Sequence, residues 1–343
     1  MKDKIFIYIH DDIEDTHFKR PQHWMAKIID AGHKAKQVHI GIAEGIALEQ
    51  IGCKDENFID ILKMICSDNN WDIGTKFHFC ICNPIQNKNI GPSIEAAGDV
   101  TNWNDQRFTD AQQQNFTVQK KIEKTFGCFI RRSSWDRLLI SSHLYNHHNK
   151  KSLLTYRSWL SKPSDMINID VDRCLWHLSQ TDALDGKNLH TLFKFLKALP
   201  LLRTNDTTDT DLLANLDITK NKKSYDEILS WYNEIFVDVV CEKVVAGQSF
   251  FPTEKTARPL FCKTPFLIMS TKNYMHNLKR NGFKTFSKFW SEDYDQLEGA
   301  DRVYAINKII DEIASYSQSD LTEVLKQMEP ILEHNYKTYM KIK

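Results

Sequence analysis

Glu242, Thr253, Glu254, Lys255 and Arg258 bring two carboxylates, a hydroxyl and two cations into one short stretch. Glu242 closes an apolar, β-branched run at residues 236–241 (FVDVVC), and Thr253 stands directly before a segment able to start a helix. A helix N-terminus offers unpaired N–H donors and the positive end of the peptide dipole to a phosphate. Lys and Arg add charge, and a carboxylate accepts hydrogen bonds from ribose hydroxyls. These residue types in this order suit a nucleotide diphosphate. A purely local reading competes: Thr253 caps the helix, Glu254 sits in the first turn because the dipole favours acid there, and the charged end is solvated.

Further reactive groups follow other strands. His10, Asp11 and Asp12 lie just beyond residues 4–9 (KIFIYI), an opening strand. Ligands of open α/β sheets bind outside the carboxyl ends of strands, so these three are candidates for an acceptor-side general base. An acidic, helix-capping loop is the alternative. Arg131 and Arg132 follow the strand at 126–130 and can contact a diphosphate, form a domain-interface salt bridge, or lie on the surface.

Metal chemistry has little support in the sequence. Asp170-Val-Asp172 matches a metal-holding Asp-x-Asp but lacks a long preceding hydrophobic run. Cys80 and Cys82 share one face of a strand, with no second Cys or His pair at zinc-finger spacing. Residues 204–211 (TNDTTDTD) read as a solvated acidic loop, and His147, His148 and His334 as surface or core residues. No metal and no other cofactor is expected. Neither a Gly-x-Gly-x-x-Gly nor a Walker sequence occurs, which removes the usual basis for dinucleotide binding or ATP hydrolysis.

The elements that must position these groups alternate between strand and helix. Strands are expected at 4–9, 36–41 and 77–82, with helices at 22–31, stopped by Gly32, and at 59–66. Residues 83–115 are polar and turn-rich, an excursion of the kind that carries substrate loops. A charged helical connection at 118–124 marks a boundary. The pattern then restarts with strand 126–130, helix 135–145 and strand 153–156. Helices at 189–199 and 225–235 lead into the strand at 236–241. After it come a short helix from 253 that Pro259 interrupts, a strand at 265–269, a helix at 273–280 stopped by Gly282, and a short strand at 284–286. Residues 289–295 (FWSEDYD) can stack a base or cover the last two helices, at 300–316 and 319–334. This is an α/β chain with domains at 1–123 and 124–343.

Composition narrows the class. The 343 residues suit two moderate domains. Forty-five basic residues balance 45 acidic ones, so no global field recruits nucleic acid or an anionic membrane. No apolar run reaches the ~18–20 residues of a membrane helix, and residues 5–9, a short apolar run followed at once by acids, do not form a signal-peptide pattern. Most of the eight cysteines lie in apolar runs, as expected of reduced, buried thiols in a cytoplasmic protein.

The segment FFPTEKTARPLFCKTPFLIMSTKNYMHNLKRNGFKTF resembles the donor-nucleotide half of the fucosyltransferase-like glycosyltransferases. These carry a Glu on a preceding strand, a Thr-Glu-Lys signature opening a helix, and then a strand beginning near Pro. The Pro-Thr-Glu-Lys-Thr stretch, with Gly-Phe-x-Thr-Phe and an aromatic-acidic tail after it, is also similar to a group of phage and virus proteins. The resemblance implies a GT-B arrangement, two Rossmann-like domains with a cleft between them, followed by C-terminal helices. It implies a metal-independent glycosyltransferase that moves a sugar from a nucleotide-diphosphate donor to a hydroxyl acceptor, in host cytoplasm if viral. Glu242 and Glu254 would hold ribose or sugar, Lys255 the phosphates, and Arg131 or Arg132 the pyrophosphate. Two other readings follow: glycosylation of hydroxymethylated bases in viral DNA, and a non-catalytic nucleotide- or sugar-binding or viral assembly protein.

Overall fold

The computed structural model describes residues 2–9, 21–42, 52–53, 56–81, 94–96, 110–114, 116–130, 133–156, 178, 186–199, 201, 222–242, 245, 250 and 252–342. The chain divides into two compact units. One comprises Met1–Asn104, Ala246–Phe251 and Thr271–Tyr274, and the other Asp105–Val245, Pro252–Ser270 and Met275–Lys343. Both are α/β units built on parallel sheets.

The first unit contains β1 (Lys2–Ile9), α1 (Pro21–Lys34), β2 (Ala35–Ile42), α2 (Phe58–Asp68), the single turn α3 (Ile73–Lys76), β3 (Phe77–Ile81) and β4 (Ile94–Ala96). Its sheet runs β1-β2-β3-β4, with Ile7 opposite Ile40 and Phe79 flanked by Ile40 and Ile94. β4 lies inside the stretch expected to be an excursion. Ile94 and Ala96 alternate around Glu95, enough for a short edge strand against β3. Gly32, expected to end the helix, lies within α1 instead. A Cβ there would run into the indole ring of Trp71, so the glycine serves close packing rather than termination.

The second unit contains β5 (Lys124–Ile130), α4 (Trp135–His148), β6 (Ser152–Tyr156), α5 (Gly186–Leu196), α6 (Lys222–Trp231), β7 (Ile235–Cys241), α7 (Glu254–Phe261), β8 (Phe266–Met269), α8 (Tyr274–Arg280), α9 (Gly299–Ala314) and α10 (Gln318–Tyr339). The parallel sheet runs β8-β7-β5-β6, with Phe126 between Ser152 and Val237. Every residue of β7 is buried, which explains its nearly continuous apolar sequence. Phe129 of β5 packs its ring 5.5 Å from both Trp231 and Tyr232. α9 lies against α4 and β8, and α10 against α7.

Three expectations change here. Residues 118–123 are not helical. Backbone N–H groups of Lys121 and Glu123 donate to the carbonyls of Asn233 and Glu234, both at 2.8 Å, drawing the segment out along the second unit as it enters β5. Residues 284–286 are not a strand. Side-chain acceptors replace a neighbouring strand: Asn335 Oδ1 takes the N–H of Lys284 and Glu292 Oε1 that of Phe286, both at 2.8 Å. Pro259 does not interrupt α7, which continues to Phe261, because the ring sacrifices a single backbone bond in a helix packed on both sides of its sequence by buried residues.

The aromatic-acidic loop is a packing element. Trp290 and Tyr294 are buried. Asp295 accepts from the N–H groups of Met275 at 2.9 Å and His276 at 3.1 Å, capping α8, and pairs with the fully buried Arg302 at 3.2 Å. Of its two expected roles, covering the last helices is the one its geometry serves.

Candidate nucleotide site

The sheet of the second unit changes winding direction between β5 and β7: β6 lies on one side of β5 and β7 on the other. Ligands in such sheets collect outside the carboxyl ends of the two strands at this switch. Two helix starts stand there. α4 follows β5 with Ser134 as its N-cap, and α7 follows β7 with Thr253 as its N-cap. The sequence produces this locally by ending each apolar run before a hydroxyl residue in extended conformation, from which a helix can begin.

Glu242 organises α7. Its carboxylate is buried, and Oε1 accepts from Thr253 N (3.0 Å), Thr256 N (3.3 Å) and Thr256 Oγ1 (2.6 Å). Oε2 accepts from Thr253 Oγ1 at 2.6 Å. One carboxylate at the end of β7 therefore gathers two threonines and two backbone donors from the first turn of α7. Its charge also offsets the positive end of that helix. The donors of this helix end are therefore partly committed within the protein, and an anion placed there would depend more on cationic side chains.

Lys255 is the cation best placed to do so. Its Nζ lies 3.1 Å from Thr253 Oγ1 and 3.0 Å from Glu254 Oε1, and its side chain is 23% exposed. Thr253 Oγ1 thus donates to Glu242 while accepting from Lys255, linking the buried carboxylate to an ammonium that reaches solvent. Arg258 lies one turn further along, buried; burial raises the pKa of Asp238 and of Tyr232, and the charge of Arg258 opposes that rise without reversing it.

Two contributors were not visible in the sequence. Arg137 Nη2 donates to the Glu242 carbonyl at 2.8 Å and the Cys241 carbonyl at 3.3 Å, tying the start of α4 to the end of β7. Asp136 beside it is fully buried, and that burial raises its carboxyl pKa despite the neighbouring guanidinium and Ser134 hydroxyl. Asp-Arg after a Ser-Ser cap signals only a helix start, since the partners of Arg137 lie more than a hundred residues downstream.

Behind the site, Asp238 accepts from Tyr232 Oη at 2.8 Å. Lys120 Nζ donates to the Tyr232 carbonyl at 2.5 Å and Thr264 Oγ1 at 2.6 Å. Burial pushes Asp238 up to about 7 and Lys120 down to about 8.

The structure therefore brings together Glu242, Thr253, Glu254 and Lys255, with Arg258 further along the same helix. His10, Asp11, Asp12, Arg131, Arg132, Asp170 and Asp172 lie outside the described residues, as do Cys82 and the 204–211 loop. Cys66, Cys128, Cys241 and Cys262 are buried thiols. Among the described residues, no helix is long and apolar enough to cross a membrane. No protein-family model, curated protein or solved structure matches the chain.

Proposed function

We propose that the chain is a glycosyltransferase of the GT-B type, its two parallel-sheet units being the two Rossmann-like halves and the second holding a nucleotide-diphosphate sugar. One observation carries this reading. At the winding switch of a parallel sheet, α7 begins with a carboxylate-braced threonine and a partly exposed lysine, beside the start of α4.

In this reading Lys255 meets the diphosphate, Arg131 or Arg132 joins it from the end of β5, and Glu254 accepts from the ribose or sugar. Glu242 holds Thr253 and the first turn of α7 in place. As the bond from the sugar's anomeric carbon to the phosphate oxygen breaks, negative charge grows on the diphosphate, and these cations stabilise it without a metal. The acceptor oxygen forms the new bond to that carbon. In an inverting reaction Asp11 or Asp12 takes its proton, with His10 nearby in sequence.

A thermal-shift and calorimetric screen of GDP-, UDP-, ADP- and CMP-linked sugars, with and without manganese, tests the proposal. Selective stabilisation by one diphosphate-linked donor, indifferent to manganese, supports it. No binding to any donor contradicts it. Binding without sugar transfer or hydrolysis favours a non-catalytic binding module.

A further inference from the structure

At the far end of α4, away from Ser134, two imidazoles and a carboxylate converge. His143 Nε2 lies 2.8 Å, and His148 Nε2 2.6 Å, from the same oxygen, Asp311 Oδ1 on α9. The three prospective ligand atoms all lie within 4.8 Å of one another. We propose that His143, His148 and Asp311 form a binding site for a zinc-class divalent cation that pins α9 to α4.

The backbone explains how these two histidines meet. His143 and His147 have the i, i+4 spacing that shares a helix face. His148 would lie beside that face in a regular helix, but its backbone leaves helical geometry at φ −131° and ψ 23° as the chain turns into Asn149–Lys151. Its ring then comes within 5.6 Å of that of His143, and both Nε2 atoms reach Asp311.

Hydrogen bonding alone uses the group less fully. Both rings would have to adopt the Nε2–H tautomer and crowd two donors onto one carboxylate oxygen. A cation takes a lone pair from each imidazole and charge from the carboxylate. With bonds of roughly 2.0–2.1 Å in a tetrahedral site, ligand atoms stand about 3.3 Å apart. The observed separations reach that arrangement by small side-chain movements. Asp311 is 53% exposed and can make them, while His143 and His148 are 17% and 15% exposed and form the sheltered floor. Two nitrogens and one oxygen favour zinc or its neighbours over magnesium or calcium, which prefer all-oxygen shells. Water completes the fourth position.

This site is independent of the proposed nucleotide site. With a rise of about 1.5 Å per residue, the nine to fourteen residues from Ser134 to His143 and His148 place it roughly 14–21 Å away along α4. Its expected role is to lock the C-terminal helices onto the sheet.

Untagged, chelator-treated protein titrated with Zn²⁺ against a chromogenic competitor at neutral pH tests the site, with melting temperature followed in parallel. One equivalent should bind at micromolar or lower Kd and raise the melting temperature, whereas Mg²⁺ should leave it unchanged. His148→Ala and Asp311→Asn should each weaken binding at least tenfold, and His147→Ala should not. Asp311→Asn retains an oxygen for hydrogen bonding, so it separates loss of the ion from loss of the fold. Cobalt-loaded protein should show the visible absorption of a tetrahedral site. Failure of the wild type to bind one equivalent, or undiminished binding by both His148→Ala and Asp311→Asn, would overturn the assignment and leave a hydrogen-bonded clamp.

Discussion

Thr253 Oγ1 lies 2.6 Å from Glu242 Oε2 and 3.1 Å from Lys255 Nζ, so one hydroxyl couples a buried carboxylate to a cation at the helix start. Removing the carboxylate strips this turn of its organiser. Glu242→Ala should cost about 3–5 kcal/mol, because two hydroxyls and two backbone donors lose a buried charged acceptor. Glu242→Gln keeps the shape but turns an amide donor toward one hydroxyl, and should cost less, about 1–2 kcal/mol. Urea unfolding of both variants measures this. Equal stability of Glu242→Ala and wild type would show that the carboxylate does not hold the turn.

Asp238 and Lys120 should leave a mark on the pH dependence of stability. Asp238 has a folded pKa of about 7, well above the ordinary aspartate value, because it is buried. Between about pH 4 and 7 the folded chain therefore holds a proton that the unfolded chain releases, and stability falls as pH rises. Lys120, lowered to about 8 by burial, acts oppositely above that value. From about pH 8 to 10.5 the unfolded chain binds more protons, so stability rises with pH. The pair should thus create a minimum near neutral pH. Urea titrations at several pH values should show Asp238→Asn losing the acid-side slope and Lys120→Met the alkaline-side slope. Unchanged slopes would contradict the shifts.

Arg302 and Asp295 make a buried ion pair at 3.2 Å, while Asp295 also caps α8. Arg302→Ala leaves that carboxylate without its charge partner and should cost about 3–5 kcal/mol. Chemical denaturation monitored by circular dichroism reports it. A cost below about 1 kcal/mol, the level of an exposed pair, would contradict the buried geometry.

Gly32→Ala sets two effects against each other. Replacing glycine inside a helix gains about 0.5–1 kcal/mol of backbone entropy, whereas overpacking typically costs about 1–3 kcal/mol. The Cβ would meet the Trp71 ring itself, so overpacking should win and the variant should be less stable. Adding Trp71→Ala should restore the ordinary alanine preference, as a double-mutant cycle would show.

Much of the architecture was legible because β5, β7 and β8 are apolar runs of strand length, and the helices that follow β5 and β7 begin after a hydroxyl N-cap, Ser134 and Thr253. Thr253 and Glu254 announced the start of α7 in the same way. Errors arose where distant partners override local pattern. Residues 118–123 carry charges at helical spacing, but the 233–234 carbonyls draw them into extended backbone. Gly32 resembles a helix stop until Trp71 is seen against it. Trp290 and Tyr294 look available for stacking a base, yet both are buried, Trp290 against Phe286 and Tyr294 against Arg302. The reach of Arg137 to Glu242, and of His148 to Asp311 across 163 residues, has no local signature.

Titration of the selected nucleotide diphosphate into wild type and Lys255→Ala tests whether the start of α7 holds the donor. Losing a charge-assisted bond to phosphate, worth about 1.5–3 kcal/mol, predicts roughly 10- to 150-fold weaker binding. Lys255 is partly exposed, so the melting temperature without ligand should change little. Undiminished affinity in a folded Lys255→Ala protein would remove α7 from the donor site and contradict the account.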